Sequence, residues 1–206
     1  MKSYLPVIAL VIISLILWIF LFTIRKSRNK NILTYFKQLA EKYGLFLDES
    51  NKIGAVIYPL LKGVYKNRQI GIGCYIKNDG KKKLLTTYVR VECSNHRKIS
   101  FDIVKKTKNS SLSGGGSIVN MMDSEFDEKF IVTSNSPEYL LPTFTFNIKY
   151  SLVQVANLGF NGELKLENNV LDYTEPELMN DENAKTRIEL IMHILCDIAD
   201  ELGKMD

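Results

Sequence analysis

The chain has 206 residues, 46% apolar and 24% charged, with a formal net charge of +4. Those averages exclude a disordered or collagen-like chain. Three cysteines, an odd number, exclude a disulfide scaffold.

Leu5 to Ile24 runs for twenty residues without a charged side chain. At 1.5 Å rise per residue, a helix of that length crosses a hydrocarbon core of about 30 Å with its backbone groups paired. Pro6 falls in the first turn, where a missing N–H is harmless. The length of the run, and the absence of a small-x-small site in Phe22, Thr23, Ile24, Arg25 and Lys26, favour an uncleaved signal anchor over a cleaved signal peptide. Only Lys2 precedes the run, whereas Arg25, Lys26, Arg28 and Lys30 follow it. The positive-inside rule then predicts a single-pass protein of the cytoplasmic membrane, N-out and C-in.

The expected organisation is an anchor with a basic juxtamembrane segment over 1–30 (span 5–24) and one cytoplasmic domain over 31–206. Arg25, Lys26, Arg28 and Lys30 are the candidate contacts with the bilayer's anionic headgroups. A reducing cytoplasm suits Cys74, Cys93 and Cys196 as free thiols. The sequon Asn109-Ser110-Ser111 would go unused there.

Ile32, Tyr35, Phe36, Leu39, Ala40 and Tyr43 share one helical face, and Gly44 is a suitable stop. From Ala55 the pattern turns to strands: Ala55–Leu60, Gly63–Lys66, Gln69–Ile76, Leu84–Cys93 and Ile99–Val104. Lys66-Asn67-Arg68 and Asn78-Asp79-Gly80 are turn signals, so an antiparallel meander is expected. Thr107 to Ser117 is a polar, glycine-rich excursion. Lys129–Thr133 reads as a strand, and Ser136-Pro137 as a helix start. Asn147–Leu158 is read as a helix, although Phe144, Phe146, Ile148 and Tyr150 also alternate as in a strand. Asn161-Gly162 and Asn168-Asn169 bracket a late hairpin, Glu163–Glu167 with Val170–Tyr173. Asp181–Leu202 is the cleanest amphipathic helix, on Ile188, Ile191, Met192, Leu195, Ile198, Ala199 and Leu202. The fold class is α+β, an antiparallel sheet of about seven or eight strands packed with helices, including the C-terminal one.

No motif discloses a chemistry. Gly114-Gly115-Gly116 lacks the Gly-Lys-Ser/Thr of a phosphate loop. Gly71-x-Gly73 inside a strand reads as a bulge or a close approach. His193 and Cys196 have a metal-pair spacing but no second pair, and His193 falls on the side of its helix away from the apolar stripe, as an exposed histidine would. Cys93 with His96 is a conceivable nucleophile pair without an orienting carboxylate. Asp123, Glu125, Asp127 and Glu128 lack the glycine of a calcium loop and read as a solvated turn with a capping role. No catalytic residue, metal or cofactor is assigned.

Charge is distributed unevenly. Residues 1–122 carry 21 Lys/Arg against 6 Asp/Glu, and residues 123–206 carry 6 against 17. Either the basic part meets anionic lipid, or the two parts neutralise one another within the fold. Nucleic acid is not an expected partner, because no binding motif accompanies the basic residues.

Leu39-Ala40-x-x-x-Gly44-Leu45, Gly63-x-Tyr65-x-Asn67-Arg68, and Phe126-Asp127-x-x-Phe130-x-Val132-x-Ser134 followed by Pro137-Glu138 occur in this order after the apolar run. The arrangement resembles a family of uncharacterised bacterial membrane-anchored proteins, known as a domain of unknown function. The resemblance covers most of residues 31–202 and implies no catalytic residues. The reading is a non-enzymatic interaction or scaffold module at the cytoplasmic membrane face, with a protein or lipid partner. The alternatives are a membrane-anchored enzyme using carboxylates or Cys93 and His96, and a subunit of a membrane complex. The apolar run's lack of a small-xxx-small pattern disfavours the latter.

Overall fold

The computed structural model describes residues 5–53, 56–79, 82–107 and 116–205. The sequon at 109–111 and Gly114-Gly115 lie outside the described residues.

Helix α1 is Leu5–Tyr43, a single helix of 39 residues, about 58 Å at the α-helical rise. Its trailing half places Ile32, Phe36 and Leu39 in the core at 1%, 0% and 1% exposure. Gly44, at φ +63, turns the chain out of the helix, and the Leu45 N–H donates to the Ala40 carbonyl.

The expected membrane span at 5–24, and with it the transmembrane, single-pass and signal-anchor reading, is corrected here. Among the described residues, no helix is long and apolar enough to cross a membrane. What the structure shows instead is one continuous helix. Nothing between Ile24 and Ile32 breaks a helix, so the uncharged run is no element of its own. It is the leading part of a mixed helix that continues through Arg25, Lys26, Arg28 and Lys30 into the docked half. Along that leading part Leu10, Ile12, Ile13, Leu15, Ile16, Leu17 and Trp18 are exposed. The side chains of Arg25, Lys26, Arg28 and Lys30 lie outside the described residues.

The chain then forms β1 (Phe46–Asp48), β2 (Lys52–Ile53), β3 (Val56–Ile57), β4 (Leu60–Tyr65), β5 (Arg68–Asp79), β6 (Lys82–Glu92), β7 (Phe101–Lys105) and β8 (Ser117–Val119). It continues with α2 (Ser124–Lys129), β9 (Phe130–Ser134), α3 (Pro137–Thr143), α4 (Phe146–Asn157), β10 (Glu163–Glu167), β11 (Val170–Glu175) and α5 (Glu182–Gly203). β2 and β3 pair only with each other. The other nine strands make one antiparallel sheet in the order β1-β4-β5-β6-β11-β10-β7-β9-β8.

The α+β expectation holds, with an antiparallel sheet and a C-terminal helix. The turn at Lys66-Asn67 has φ 48 and 60, the left-handed pair of a two-residue hairpin, and joins β4 to β5 in register. β5 and β6 pair without interruption from Ile70↔Val91 to Asp79↔Lys82, so Gly71-x-Gly73 is not a bulge. A Cβ on Gly73 would lie 2.9 Å from the Tyr88 hydroxyl and 3.0 Å from Leu60, which makes this glycine a close approach. The acidic cluster is a short helix rather than a turn. The Asp123 carboxylate accepts from the Phe126 N–H at 3.1 Å, and that of Asp127 accepts from the Met121 N–H at 3.0 Å.

The helices lie on one face of the sheet. Most strand residues pointing that way are apolar: Ile70 and Ile72 on β5, Val89 and Val91 on β6, Leu171 and Tyr173 on β11, Leu164 and Leu166 on β10, Phe101 and Ile103 on β7. α5 covers them with Ile188, Ile191, Leu195, Ile198 and Leu202, all at 2% exposure or less. Each such side chain stabilises the fold by about 1.5–3 kcal/mol through removal from water. Asp181 caps α5, accepting from the Ala184 N–H at 2.7 Å.

Candidate functional site

Three groupings of polar side chains stand out, and they differ in what they can reach.

The first is sealed beneath the helices. Glu175 is fully buried and Arg187 is 4% exposed. The Arg187 guanidinium donates to both Glu175 oxygens, from Nε at 2.7 Å and Nη2 at 3.0 Å. It also donates to the Leu158 carbonyl at 3.0 Å and to Glu177 Oε2 at 2.9 Å, while the Tyr173 hydroxyl donates to Glu175 at 2.7 Å. Burial alone lowers the guanidinium's affinity for its proton, but the Glu175 contacts outweigh it and raise the pKa. Cys74 lies close by, its thiol pushed up to about 11 by burial and so inert. Every strong donor here is already used within the protein.

The second fastens α1 to α5. Tyr43, Tyr65 and His193 meet edge to face, with ring centroids 5.1–5.5 Å apart. The Tyr43 hydroxyl donates to Glu189, which Lys42 also contacts. Tyr43 Oη therefore accepts from His193 Nε2 at 2.9 Å, and His193 Nδ1 lies 3.3 Å from the Tyr65 hydroxyl. The Tyr43–Glu189 bond thus places a proton on His193 Nε2. Burial, followed by the charge of Lys66, lowers the His193 pKa, against Glu189 and Asp197 pulling it up. For Glu189, burial works upward, but the bonds from Lys42 and Tyr43 hold it below its ordinary value. His193 is thus half-buried and bonded through both ring nitrogens, not an exposed histidine. Cys196 is fully buried, and its thiol is pushed up to about 11 by burial.

The third is the face of the sheet that the helices leave open. Facing residues of adjacent strands form a rank of charges in register: Arg90 on β6, Asp172 on β11, Lys165 on β10 and Asp102 on β7. Arg90 Nη2 lies 3.0 Å from Asp172 Oδ2, and Lys165 Nζ lies 2.8 Å from Glu163 and 3.7 Å from Asp102. Burial, first, and the neighbouring carboxylates raise the Asp102 pKa, although Lys165 opposes them. Thr86 and Thr133 point to this open side, yet they are only 3% and 2% exposed, and adjoining grooves on this face together form a trough. A groove of ≈ 460 Å³ runs past Ser100, Asp102, Thr133, Lys165 and Glu167. It adjoins a second of ≈ 620 Å³ past His96, Lys98, Glu167, Asn168 and Asn169. A third, of ≈ 250 Å³, shares Lys165, Glu167 and Asn168 and ends at Arg90 and Asp172.

The structure does not build the nucleophile pair that Cys93 and His96 suggested. Cys93 is buried at the end of β6, and His96 stands in an exposed turn, 3.3 Å from the Ser94 hydroxyl, at the rim of the trough. Among the described residues, no group of three or more His, Cys, Asp or Glu could hold a metal ion. The uneven charge distribution is offset in part within the fold. Lys42, Lys66, Arg68 and Arg90 of the basic part pair with Glu189, Asp197, Asp200 and Asp172 of the acidic part.

No family model and no curated protein matches the chain. Among solved structures, it is similar in fold to the mycobacterial trehalose monomycolate transport factor A, TtfA. The TM-score is 0.51 at 8% identity, over 82% of this chain and 95% of that one. At that identity the likeness is one of fold: a one-sided α+β sheet of this kind is a shared architecture.

Proposed function

We propose that this chain is a non-enzymatic interaction module whose binding surface is the open, grooved face of the nine-stranded sheet. The observation that carries the reading is the asymmetry of the sheet. All its helices lie on one face, and the other presents adjoining grooves where charged and polar side chains stand among apolar ones. The groupings with the strongest proton-transfer chemistry, Glu175 with Arg187 and Tyr43 with His193, are spent on internal bonds. The fold neighbour is named a transport factor, and a binding role is in keeping with that name.

The test is site-specific photo-crosslinking in the native cell. Probes at Glu167 and Asn169 should give discrete adducts, whereas probes at the exposed helix-side positions Gln154 and Glu125 should not. Equal yields from both sides would overturn the assignment of the face.

A second reading concerns Arg25, Lys26, Arg28 and Lys30. Because α1 is unbroken, the four fall within two turns of one helix, next to an exposed apolar stretch. Contact with an anionic lipid surface follows from that placement, at about 1 kcal/mol per basic residue. Full-length chain should co-sediment with anionic vesicles in a salt-sensitive way, and the fourfold Gln variant should lose that sensitivity. Equal sedimentation of the two would exclude these residues.

A further inference from the structure

We infer that the leading part of α1 is immersed among the acyl chains of a lipid surface. This deepens the reading of Arg25, Lys26, Arg28 and Lys30 as headgroup contacts, and rests on that reading for the choice of anionic lipid. The distribution of apolar side chains around the helix, and the charges at its ends, select this surrounding.

α1 is one helix whose two parts differ in character. In the trailing part Ile32, Phe36 and Leu39 are buried, and Lys37, Gln38 and Glu41 on the other side are exposed. That is the single apolar stripe of a helix docked on one surface. In the leading part, the apolar side chains described from Leu10 to Ile19 are 48% to 69% exposed, and Ser14 is the only polar residue among these positions. At about 100° per residue, Leu10 and Leu17 fall on one side of the helix and Ile12 and Leu15 on the opposite one. Ile13, Ile16 and Trp18 fall between them. The apolar surface therefore runs all the way round.

Whatever covers such a surface must also reach all round. A helix from another protein, or from a second copy, lays one stripe about 100° wide against its partner and leaves the far side in water. Acyl chains give contact on every side, and the helix enters them with its backbone donors and acceptors already paired. Immersion requires only that acyl chains surround the stretch, and no crossing of a bilayer is part of it.

Charge selects the kind of lipid and disfavours a second copy. No Asp or Glu occurs before Glu41, whereas Lys2 precedes the apolar stretch and Arg25, Lys26, Arg28 and Lys30 follow it. Two such helices side by side, parallel or antiparallel, would set basic ends against basic ends. An anionic headgroup layer attracts both ends.

Trp18 is the chain's only tryptophan and lies within the exposed stretch, so its emission reports on these surroundings without a label. The experiment mixes full-length chain with vesicles of phosphatidylcholine, with and without phosphatidylglycerol, whose acyl chains carry bromine. The expected result is a blue shift and quenching of Trp18 on both kinds of vesicle. Partitioning should be tighter onto the anionic ones at low salt, and the difference should vanish at high salt. Leu10→Asp/Leu17→Asp and Ile12→Asp/Leu15→Asp, on opposite sides of the helix, should each weaken partitioning at least about tenfold. Thermal unfolding should be unchanged in both variants, because the replaced side chains are exposed. Absence of quenching by acyl-chain bromine would overturn the immersion. A loss confined to one of the two variants would overturn it as well, in favour of a one-sided partner such as a second copy. Quenching without any salt-sensitive preference for anionic vesicles would support the immersion and overturn the headgroup reading alone.

Discussion

The two faces of the sheet carry ion pairs of opposite kinds. On the covered face, Arg187 and Glu175 are sealed from water at 4% and 0% exposure and bonded at every strong site. On the open face, Arg90 and Asp172 form a pair of similar length with side chains 54% and 29% exposed. A buried pair is held because removing one partner strands a charge in a medium that cannot solvate it. In the more exposed pair, Arg90 and Asp172 Oδ2 have water as an alternative partner at little cost, although Asp172 Oδ1 is buried without a hydrogen-bond partner. Similar geometry therefore marks a structural fastening on one side and an exchangeable, ligand-accessible set on the other.

The sharpest way to break that contrast is to remove one arginine from each face. Arg187→Ala leaves Glu175 buried without its cation and should cost about 3–5 kcal/mol in urea unfolding. Arg90→Ala should cost no more than about 1 kcal/mol. Comparable losses from the two would erase the distinction.

A smaller effect of about 1 kcal/mol is expected from Asp181→Ala, which removes the cap of the helix that covers the sheet. That loss should appear in equilibrium unfolding and leave trough binding unaltered.

The covered side should also respond to pH through His193. Its pKa in the folded chain is lowered, so the folded state binds this proton less readily than the unfolded one. Its contribution is intact above the ordinary histidine value near 6.5 and is lost as pH falls below it, toward the folded value. Unfolding curves between pH 7.5 and pH 5.5 should show this loss in the wild type. His193→Gln should show less of it, measured as the change in urea midpoint.

Much of the architecture was legible wherever a local rule acts. Ile188, Ile191, Leu195, Ile198 and Leu202 announce α5 by spacing, and Asn168-Asn169 announces the hairpin of β10 and β11. What stayed hidden depends on distant partners. β1 and β8 have three residues each and exist because β4 and β9 offer them an edge. The neighbours of β6 and β7 are set by β11 and β9 rather than by the next strand in sequence, so a simple meander was the wrong extension of two correct hairpins. His193 looked exposed because periodicity sees one apolar stripe. The cover over its other side comes from Tyr43, 150 positions away, and from Tyr65. The acidic stretch at 123–128 was read as a turn, because its helix is a short one fixed by the carboxylates of Asp123 and Asp127. The trough had no sequence signal. It arises from the pairing of distant strands and from the parity that sends Asp102, Lys165 and Asp172 to the same side.

The most direct test measures binding and stability together in Glu167→Ala/Asn169→Ala. Both residues are exposed on the trough, so the melting temperature should stay within about 2 °C of wild type, as for surface changes worth roughly 0.5 kcal/mol or less. Ligand binding and crosslinking from the open face should be lost. Full binding by a stably folded double variant would contradict the assignment of function to this face.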